Sequence, residues 1–185
     1  MTDQATATLR VLTGDEAHRL VGALSDVLID CVEGGASVGF MAPLTRERAD
    51  RFWRGVADGV AAGGRILLVA ENPATGDLLG TAQLIVDMPE NQPHRADVAK
   101  VLVRRSARRR GLGAVLMTAV EAAARDAGKT LLVLDTTTGD DAERMYTRLG
   151  WTRVGEVPRY AHMPDGTPSG TTFFYKDVPH FDDRE

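Results

Sequence analysis

The chain is organised around the segment Arg108-Arg109-Arg110-Gly111-Leu112-Gly113. Before it, Ala99–Val103 is rich in apolar and β-branched residues, which is typical of a strand. After it, apolar residues recur at helical spacing as far as Ala127, which predicts an amphipathic helix; they are Leu112, Val115, Leu116, Ala119 and Ala123. The sequence therefore predicts a strand, a basic turn that contains glycine, and a helix.

This arrangement is typical of an anion-binding site. The first turn of a helix leaves backbone N–H groups unpaired, the helix dipole adds partial positive charge, and glycine lets a phosphate approach the backbone. The three arginines add charged donors. Neither a G-x-G-x-x-G fingerprint nor a Walker G-x-x-x-x-G-K-[ST] loop is present, so the spacing excludes both. The alternative is a solvated basic turn that caps a core helix, which explains the arginines but not both glycines.

The composition is that of an ordinary globular protein. The 185 residues include 43% hydrophobic and 26% charged residues, with a net charge of −4. We expect a single domain over 1–185, with loose termini at 1–7 and 178–185. The acidic balance argues against nucleic acid as a partner. The single cysteine, Cys31, excludes an internal disulfide, and no Cys/His cluster predicts a metal site. Without a signal sequence or a membrane-spanning run, we expect a cytoplasmic protein with no membrane partner.

The rest of the chain has the pattern of a mixed α/β sheet. We predict strands at 8–12, 65–71, 78–86, 99–103, 129–135, 151–157 and 171–176, and helices at 13–31, 45–62, 112–127 and 140–149. The order is β-α-α-β-β-β-α-β-α-β-β, which gives a central mixed sheet of about seven strands with helices on both faces. Two prolines exclude a regular strand in 87–95, and we expect that segment to overhang the site.

Two motifs resemble those of the GCN5-related N-acetyltransferase (GNAT) family. The turn has the pattern R-x-x-G-x-G from Arg108, which is similar to the family's pyrophosphate-binding motif. Residues 142–151 look like its A-x-x-x-Y-x-x-x-G-[FW] segment, and the element order is also that of the family. The resemblance covers 78–176 by motif and the N-terminal third by topology. One departure is Gly139, where many members carry an asparagine that contacts the cofactor arm.

Shorter segments look like the tabtoxin-resistance branch of this family; they are 91–100, 134–136 and 155–158. Members of that branch acetylate the amino group of a small amino-acid-like toxin. The resemblance implies an acetyl-CoA-dependent N-acetyltransferase in which the amine of a small molecule, such as an amino-acid-like compound, antibiotic or toxin, attacks the thioester directly. The alternatives are a protein or peptide acceptor and a coenzyme A-binding module without catalysis. A homodimer is expected by analogy with the fold.

The resemblance also implies how the cofactor binds. The backbone amides of the turn would hold the diphosphate, and the strand before it would pair with the pantetheine arm. In the family this strand and the one after the motif helix splay apart, and the thioester enters the gap. The N–H of Leu102 or Val103 would then stabilise the oxyanion. The expected cofactor-binding residues are Val101, Leu102, Val103, Arg108, Arg109, Arg110, Gly111, Leu112, Gly113 and Ala114.

Tyr146 and Asp135 are the expected catalytic residues. A tyrosine with a pKa near 10 is a plausible general acid for a thiolate whose conjugate acid has a pKa of roughly 8 to 9. The alternative for Tyr146 is an aromatic residue on the core face of a short helix. Asp135 ends a buried strand, where it could accept the proton of the amine. The alternative for Asp135 is a turn residue that accepts from the amides of Thr137 or Thr138.

We expect the acceptor to contact residues near the segment before the motif strand. These are Asn91, His94, Arg95 and Asp97. His94 and Asp97 are also alternative bases, since histidine titrates near neutral pH. Charged loop side chains can equally be solvated without a role. Phe40 and Trp53 are candidates for walls of the acceptor pocket, with core packing as the alternative for Trp53.

Overall fold

The computed structural model describes residues 7–179, which form one sheet with helices on both faces. The elements are β1 Thr8–Leu12, α1 Gly14–Arg19, α2 Val21–Glu33, α3 Arg46–Ala61, β2 Arg65–Glu71, β3 Leu78–Ile85, β4 Arg95–Val103, α4 Leu112–Asp126, β5 Leu131–Thr137, α5 Asp141–Arg148, β6 Thr152–His162 and β7 Pro168–Asp177. A 3₁₀ turn, Arg105–Ala107, lies between β4 and α4. Within the described range, no helix is long and apolar enough to cross a membrane.

The sheet has seven strands in the order β1-β2-β3-β4-β5-β7-β6. Every neighbouring pair is antiparallel except β4 and β5, which are parallel and are connected through α4. A parallel pair needs such a crossover connection, and a helix usually provides it. The predicted mixed α/β fold is therefore confirmed.

Each face of the sheet has its own hydrophobic core. On one face, α4 and α5 pack over a cluster that includes Leu84 and Phe174. On the other, α1, α2 and α3 pack over a cluster that includes Leu28 and Trp53. Successive side chains of a strand point to opposite faces, so the central strands contribute to both clusters. Trp53 is fully buried, which confirms core packing for this residue.

The first predicted helix is two helices in the structure. Thr13 caps α1 in the predicted capping box, in which its side chain accepts from the N–H of Glu16 and the Glu16 carboxylate accepts from the N–H of Thr13. The helix then breaks at Leu20, and α2 begins at Val21. Both helices pack on the same core, so the apolar spacing continues across the break and does not reveal it.

Strand boundaries differ from the prediction by a few residues. β4 begins at Arg95 rather than Ala99, and β6 continues past Pro158. Because β6 is an edge strand, a proline there removes no interior ladder hydrogen bond. The predicted loose termini lie almost wholly outside the described residues. Val178 is an exception, since it is buried and its N–H donates to the carbonyl of Thr130 over 2.9 Å.

Candidate active site

β4 and β5 pair over only the first part of their length. Arg95–Asp97 pairs with Leu131–Val133, whereas β4 continues to Val103 and β5 to Thr137. Within the described residues, 98–103 therefore has no strand partner on its β5 side. The two strands thus have a paired half and an open half, and we call the space beside the open half the gap. A splayed pair of this kind is what the resemblance implied.

The basic turn at the end of the open half has free backbone donors. Among residues 7–179, no oxygen accepts a hydrogen bond from the N–H groups of Arg109–Ala114. The helical ladder begins at Val115, whose N–H donates to the carbonyl of Gly111 over 3.1 Å. Arg109 and Gly111 have left-handed φ angles of 62° and 78°. Such a change of hand directs successive N–H groups into one concavity, where an anion can bind.

Different structural features require glycine at positions 111 and 113 of the turn. Gly111 has open space around its Cα, but its φ of 78° is one that other residues rarely adopt. A Cβ added at Gly113 would lie 2.9 Å from the Sδ atom of Met145, so α5 packs directly on the first turn of α4. A simple helix cap would need only the first of these glycines.

The three arginines differ in their contacts. Arg108 donates from Nε to the carbonyl of Val103 over 3.1 Å, which ties the turn to the end of β4. Arg109 and Arg110 are exposed. The charge of the turn can therefore meet a ligand from solvent while Arg108 fixes the backbone.

β4 has a β-bulge beside the gap. One residue of β3, Ala82, stands opposite two residues of β4, Lys100 and Val101. Lys100 has a left-handed φ of 51°, which is uncommon for a residue other than glycine. The sequence analysis missed both the bulge and Lys100. The only available signal was one charged residue within an apolar strand.

The backbone of β4 shows which N–H groups face the gap. The N–H of Arg104 donates to the carbonyl of Leu79 on β3 over 2.8 Å. Because backbone groups alternate between the two edges of a strand, the N–H of Leu102 also faces β3 and that of Val103 faces the gap. Of the two predicted oxyanion donors, Val103 therefore has the suitable orientation.

Tyr146 lies on α5 with its ring in the core. The ring centroids of Trp151 and Phe174 are 6.0 and 5.9 Å from that of Tyr146. Burial raises the pKa of Tyr146, and the negative charges of Asp135 and Asp140 raise it further. The phenol therefore stays protonated across the physiological range and can act as a hydrogen-bond donor. The raised pKa also makes complete proton loss less favourable than for an ordinary tyrosine.

Asp135 lies in the open half of β5. Its partial burial raises the pKa of the carboxyl group, the charge of Lys100 lowers it in part, and the charge of Asp97 raises it. The side chain shares a face with Val133, opposite the face on which α5 carries Tyr146. Asp135 and Tyr146 therefore approach the gap from opposite sides of the sheet. In residues 7–179, no group of three or more His, Cys, Asp or Glu side chains could hold a metal ion.

The alternative role for Asp135 does not fit the local hydrogen bonds. The N–H of Thr138 donates to the carbonyl of Gly170 over 3.0 Å, and Thr137 pairs with Thr171 in the sheet. The amide of Thr138 is therefore satisfied by β7, whereas the N–H of Thr137 faces the β4 side because backbone groups alternate along the strand; among residues 7–179, neither amide donates to the Asp135 carboxylate.

The segment before β4 does not overhang the gap, so that expectation is wrong. The carbonyl of His94 accepts from the N–H of Thr130 and Leu131 at the start of β5. Asn91, His94 and Arg95 thus lie at the paired end of β4, and a strand of this length separates them from the turn by roughly 27 Å. The crossover through α4 causes this, because it returns the chain to the start of β4. Asp97, which pairs with Arg95, is the one predicted acceptor residue whose charge reaches Asp135.

The α2–α3 loop and the β6–β7 hairpin border a cleft. The N–H of Ala42 donates to the carbonyl of Pro164 over 3.0 Å, which joins the α2–α3 loop to the β6–β7 turn. The cleft between them is about 190 Å³ in volume and is lined in part by Gly39, Phe40 and His162. Phe40 packs edge-on against Phe52 at 5.3 Å, so it walls this cleft.

Gly139 marks the departure from the family pattern. Its φ of 81° lies in the left-handed region, and its N–H donates to the carboxylate of Glu143. The turn before α5 therefore uses this position for its own geometry, with no side chain to contact a cofactor.

Comparison with known proteins identifies the family. Residues 32–151 match the model of the acetyltransferase (GNAT) family, and this range includes the basic turn and α5. A protein of Azospirillum brasilense, an uncharacterized N-acetyltransferase in the hisH-hisA intergenic region, is 34% identical over 137 residues. The matched residues cover 73% of this chain and 76% of that protein.

Solved structures share the complete fold. A Salmonella typhimurium structure with its cofactor acetyl-CoA has a TM-score of 0.76 at 18% identity, covering 97% of this chain and 98% of that one. The ribosomal-protein-alanine N-acetyltransferase of Brucella melitensis has a TM-score of 0.75 at 21% identity, covering 92% and 99%. The family match and the Azospirillum relative together show that this chain belongs to the GNAT family and is an N-acetyltransferase.

Proposed function

We propose that this chain transfers the acetyl group of acetyl-CoA to the amine of a small, amino-acid-like molecule. The observation that carries the proposal is the open half of β4, which leads directly into the free N–H groups of Arg109–Ala114. A free strand edge next to an anion-binding turn suits a ligand with an extended amide arm and a diphosphate. Acetyl-CoA has both, and it supplies the acetyl group as a thioester.

The turn and the strand edge bind different parts of the cofactor. The amides of Arg109–Ala114 hold the diphosphate, and the exposed Arg109 and Arg110 add charge. The backbone groups of Val101 pair with the amide arm, as in the addition of a strand to a sheet edge. This pairing places the thioester carbonyl in the gap, where the N–H of Val103 stabilises the oxygen that gains negative charge.

Asp135 and Tyr146 transfer the protons of the reaction. Asp135 accepts the proton of the acceptor ammonium, directly or through a water, and its raised pKa brings it closer to the range useful to a base at neutral pH. Tyr146 donates a hydrogen bond to the sulfur of the leaving group and passes a proton to it, and the proton that the nitrogen loses as the amide forms restores the phenol, so no tyrosinate remains. Because the two groups approach from opposite faces, the amine and the thiol do not compete for one side chain.

Two observations favour a small acceptor. The hydrogen bond between Ala42 and Pro164 joins the α2–α3 loop to the β6–β7 turn, so the cleft between them is bounded on two sides. The resemblance of 91–100 and 155–158 to the tabtoxin-resistance branch also supports an amino-acid-like acceptor, and with it a role in resistance to such a compound. A dimer, a metal-free reaction and the single domain over 1–185 are parts of the same proposal.

The proposal is tested by ligand stabilisation and by thiol release. Acetyl-CoA at 100 times its Kd should stabilise the protein by about 2.7 kcal/mol, and coenzyme A should also stabilise it. Free coenzyme A thiol is then measured during incubation with acetyl-CoA and either free amino acids or short peptides. Release with amino acids supports the proposal. Release with peptides alone moves the acceptor to a protein N-terminus or lysine, and no stabilisation by either ligand contradicts the cofactor site.

A further inference from the structure

We propose that Lys100 binds a carboxylate of the acceptor, so that the enzyme selects amines that carry a neighbouring anionic group, as α-amino acids do. This inference rests on the proposed function, because the acceptor must meet acetyl-CoA in the same gap. It assigns a specificity-determining role to the residue at the bulge of β4.

The hydrogen bonds of the three lysines distinguish Lys100. Lys129 donates from Nζ to the carbonyls of Val86 and Pro93 at 3.0 and 2.8 Å. Lys176 contacts the carboxylate of Glu121 and the carbonyl of Leu149 at 2.8 and 2.7 Å. Among the residues described, none offers an oxygen to Nζ of Lys100, which instead lies 5.5 Å from the ring centroid of Phe52. Its ammonium group therefore has no acceptor from the described chain and is available to an anion from outside it.

The surroundings of Lys100 do not favour its charge. Burial lowers the pKa of Lys100, the positive charge of Arg65 lowers it further, and Asp135 only partly opposes the change. Asp135 does not form an ion pair with Lys100 in the described part of the chain. The chain therefore keeps a poorly compensated cation in a left-handed backbone position, which is a cost that a bound anion would offset.

A second donor without an acceptor lies on the strand beside Lys100. Arg65 donates from Nη1 to Oε1 of Gln83 over 2.7 Å, which directs the amide nitrogen of Gln83 elsewhere. This Nε2 atom is buried and has no acceptor among residues 7–179. Gln83 stands opposite Ala99, the residue before Lys100. Nζ of Lys100 and Nε2 of Gln83 thus both lack an acceptor among residues 7–179, which suits a ligand that accepts hydrogen bonds.

The charges of the gap match a zwitterion. Lys100 and Asp135 lie close enough to change each other's pKa, yet neither neutralises the other by direct contact. An α-amino acid carries an ammonium and a carboxylate on one carbon, so it can meet both side chains at once. Phe52 lies beside Lys100 and Phe40 packs on Phe52, so the two rings offer an apolar wall to the rest of the acceptor.

The test compares free L-amino acids with their α-carboxamides as acceptors. The two series differ in the carboxylate and both have a primary amine. In the unaltered protein, kcat/KM should favour the free acid by about tenfold or more, because a hydrogen bond to a charged group has that value. Lys100→Met keeps the aliphatic stem over Phe52 and should reduce the ratio to near one by slowing the acids alone. Lys100→Arg should restore part of the preference.

Lys176→Met is the matched control, because it removes a lysine with existing partners and should leave the acid-to-amide ratio unchanged. Equal use of acids and amides by the unaltered protein would overturn the inference. So would a ratio that persists in Lys100→Met, or an equal loss of kcat for both series, which would make Lys100 a base or a positioning residue. Failure of the proposed function looks different, because neither the free amino acids nor their amides would then release thiol from acetyl-CoA, whichever residue stands at position 100.

Discussion

The paired half and the open half of β4 and β5 differ in whether folding satisfies their backbone hydrogen-bonding groups. In the paired half, Arg95–Asp97 satisfies its backbone groups against Leu131–Val133, and Arg95 and Asp97 pair with each other. In the open half, β4 bulges at Lys100, and within residues 7–179 its edge is unpaired and the N–H groups of Arg109–Ala114 have no acceptors. Groups that folding leaves unsatisfied, as in the open half, are available to a ligand.

The open half would be a liability without a ligand. An unpaired strand edge can recruit another chain, and natural sheets usually cover or charge such edges. Here the edge is interior to the sheet order, between β4 and β5, so neighbouring strands shield it from other proteins. We therefore assign stability to the paired half and ligand binding to the open half. The following variants test that division.

Tyr146→Phe should have the largest effect. Phenylalanine keeps the ring contacts with Trp151 and Phe174 but removes the donor at the gap. We expect kcat for thiol release to fall by about 100-fold, with acetyl-CoA affinity nearly unchanged. Steady-state kinetics and ligand-induced stabilisation measure the two quantities. An unchanged kcat would mean that Tyr146 is a core aromatic only.

Asp135→Asn should lower activity by about tenfold or more and should not lower stability. The raised pKa of Asp135 means that the folded state favours the protonated form, so stability is greatest below the ordinary carboxyl pKa and falls as pH rises through the folded pKa. Asparagine cannot ionise, so the Asp135→Asn variant does not lose this stability as the pH rises. Thermal unfolding should therefore show an equal or higher Tm than the unaltered protein at pH 8, and little difference near pH 3. A lower Tm at pH 8 would contradict the assigned electrostatics.

Gly111→Ala should weaken acetyl-CoA binding by about tenfold, because a side chain at this left-handed φ costs roughly 1 kcal/mol and reshapes the turn. Gly76→Ala is the matched control. Its φ of 76° is close to the 78° of Gly111, and both positions have open space around them. The two variants should lose similar stability on thermal unfolding, and only Gly111→Ala should lose affinity. Equal affinities of the two variants for acetyl-CoA would mean that the turn does not bind the cofactor.

His94→Ala should have the smallest effect. The side chain is exposed, and the carbonyl that contacts Thr130 and Leu131 is retained. We expect kcat/KM within about twofold of the unaltered value, as for most surface substitutions. A tenfold loss of kcat/KM would mean that the paired end of β4 does contribute to the acceptor site.

Local sequence signals predicted the fold and the turn, because each depends on neighbours in the chain. A strand, R-x-x-G-x-G and a helix lie within 99–127, and the first glycine of the motif, Gly111, has the left-handed φ that shapes the turn. Lys100 could not be predicted, since its bulge arises from the register of β4 on β3. His94 and Arg95 were misplaced because closeness to a strand in sequence does not tell which end of that strand carries the site. The break at Leu20 could not be predicted either, because both helices pack on one core and the apolar spacing continues across it.

Hydrogen exchange of the backbone amides, with and without saturating acetyl-CoA, tests the division between the halves most directly. The account predicts slower exchange at Val101, Val103 and Arg109–Ala114 in the presence of the ligand, because these N–H groups gain acceptors. Exchange at Arg95–Asp97, which already pairs with β5, should not change. Unchanged exchange at Arg109–Ala114, or slowing confined to the paired half, would contradict the assignment of the open half to acetyl-CoA.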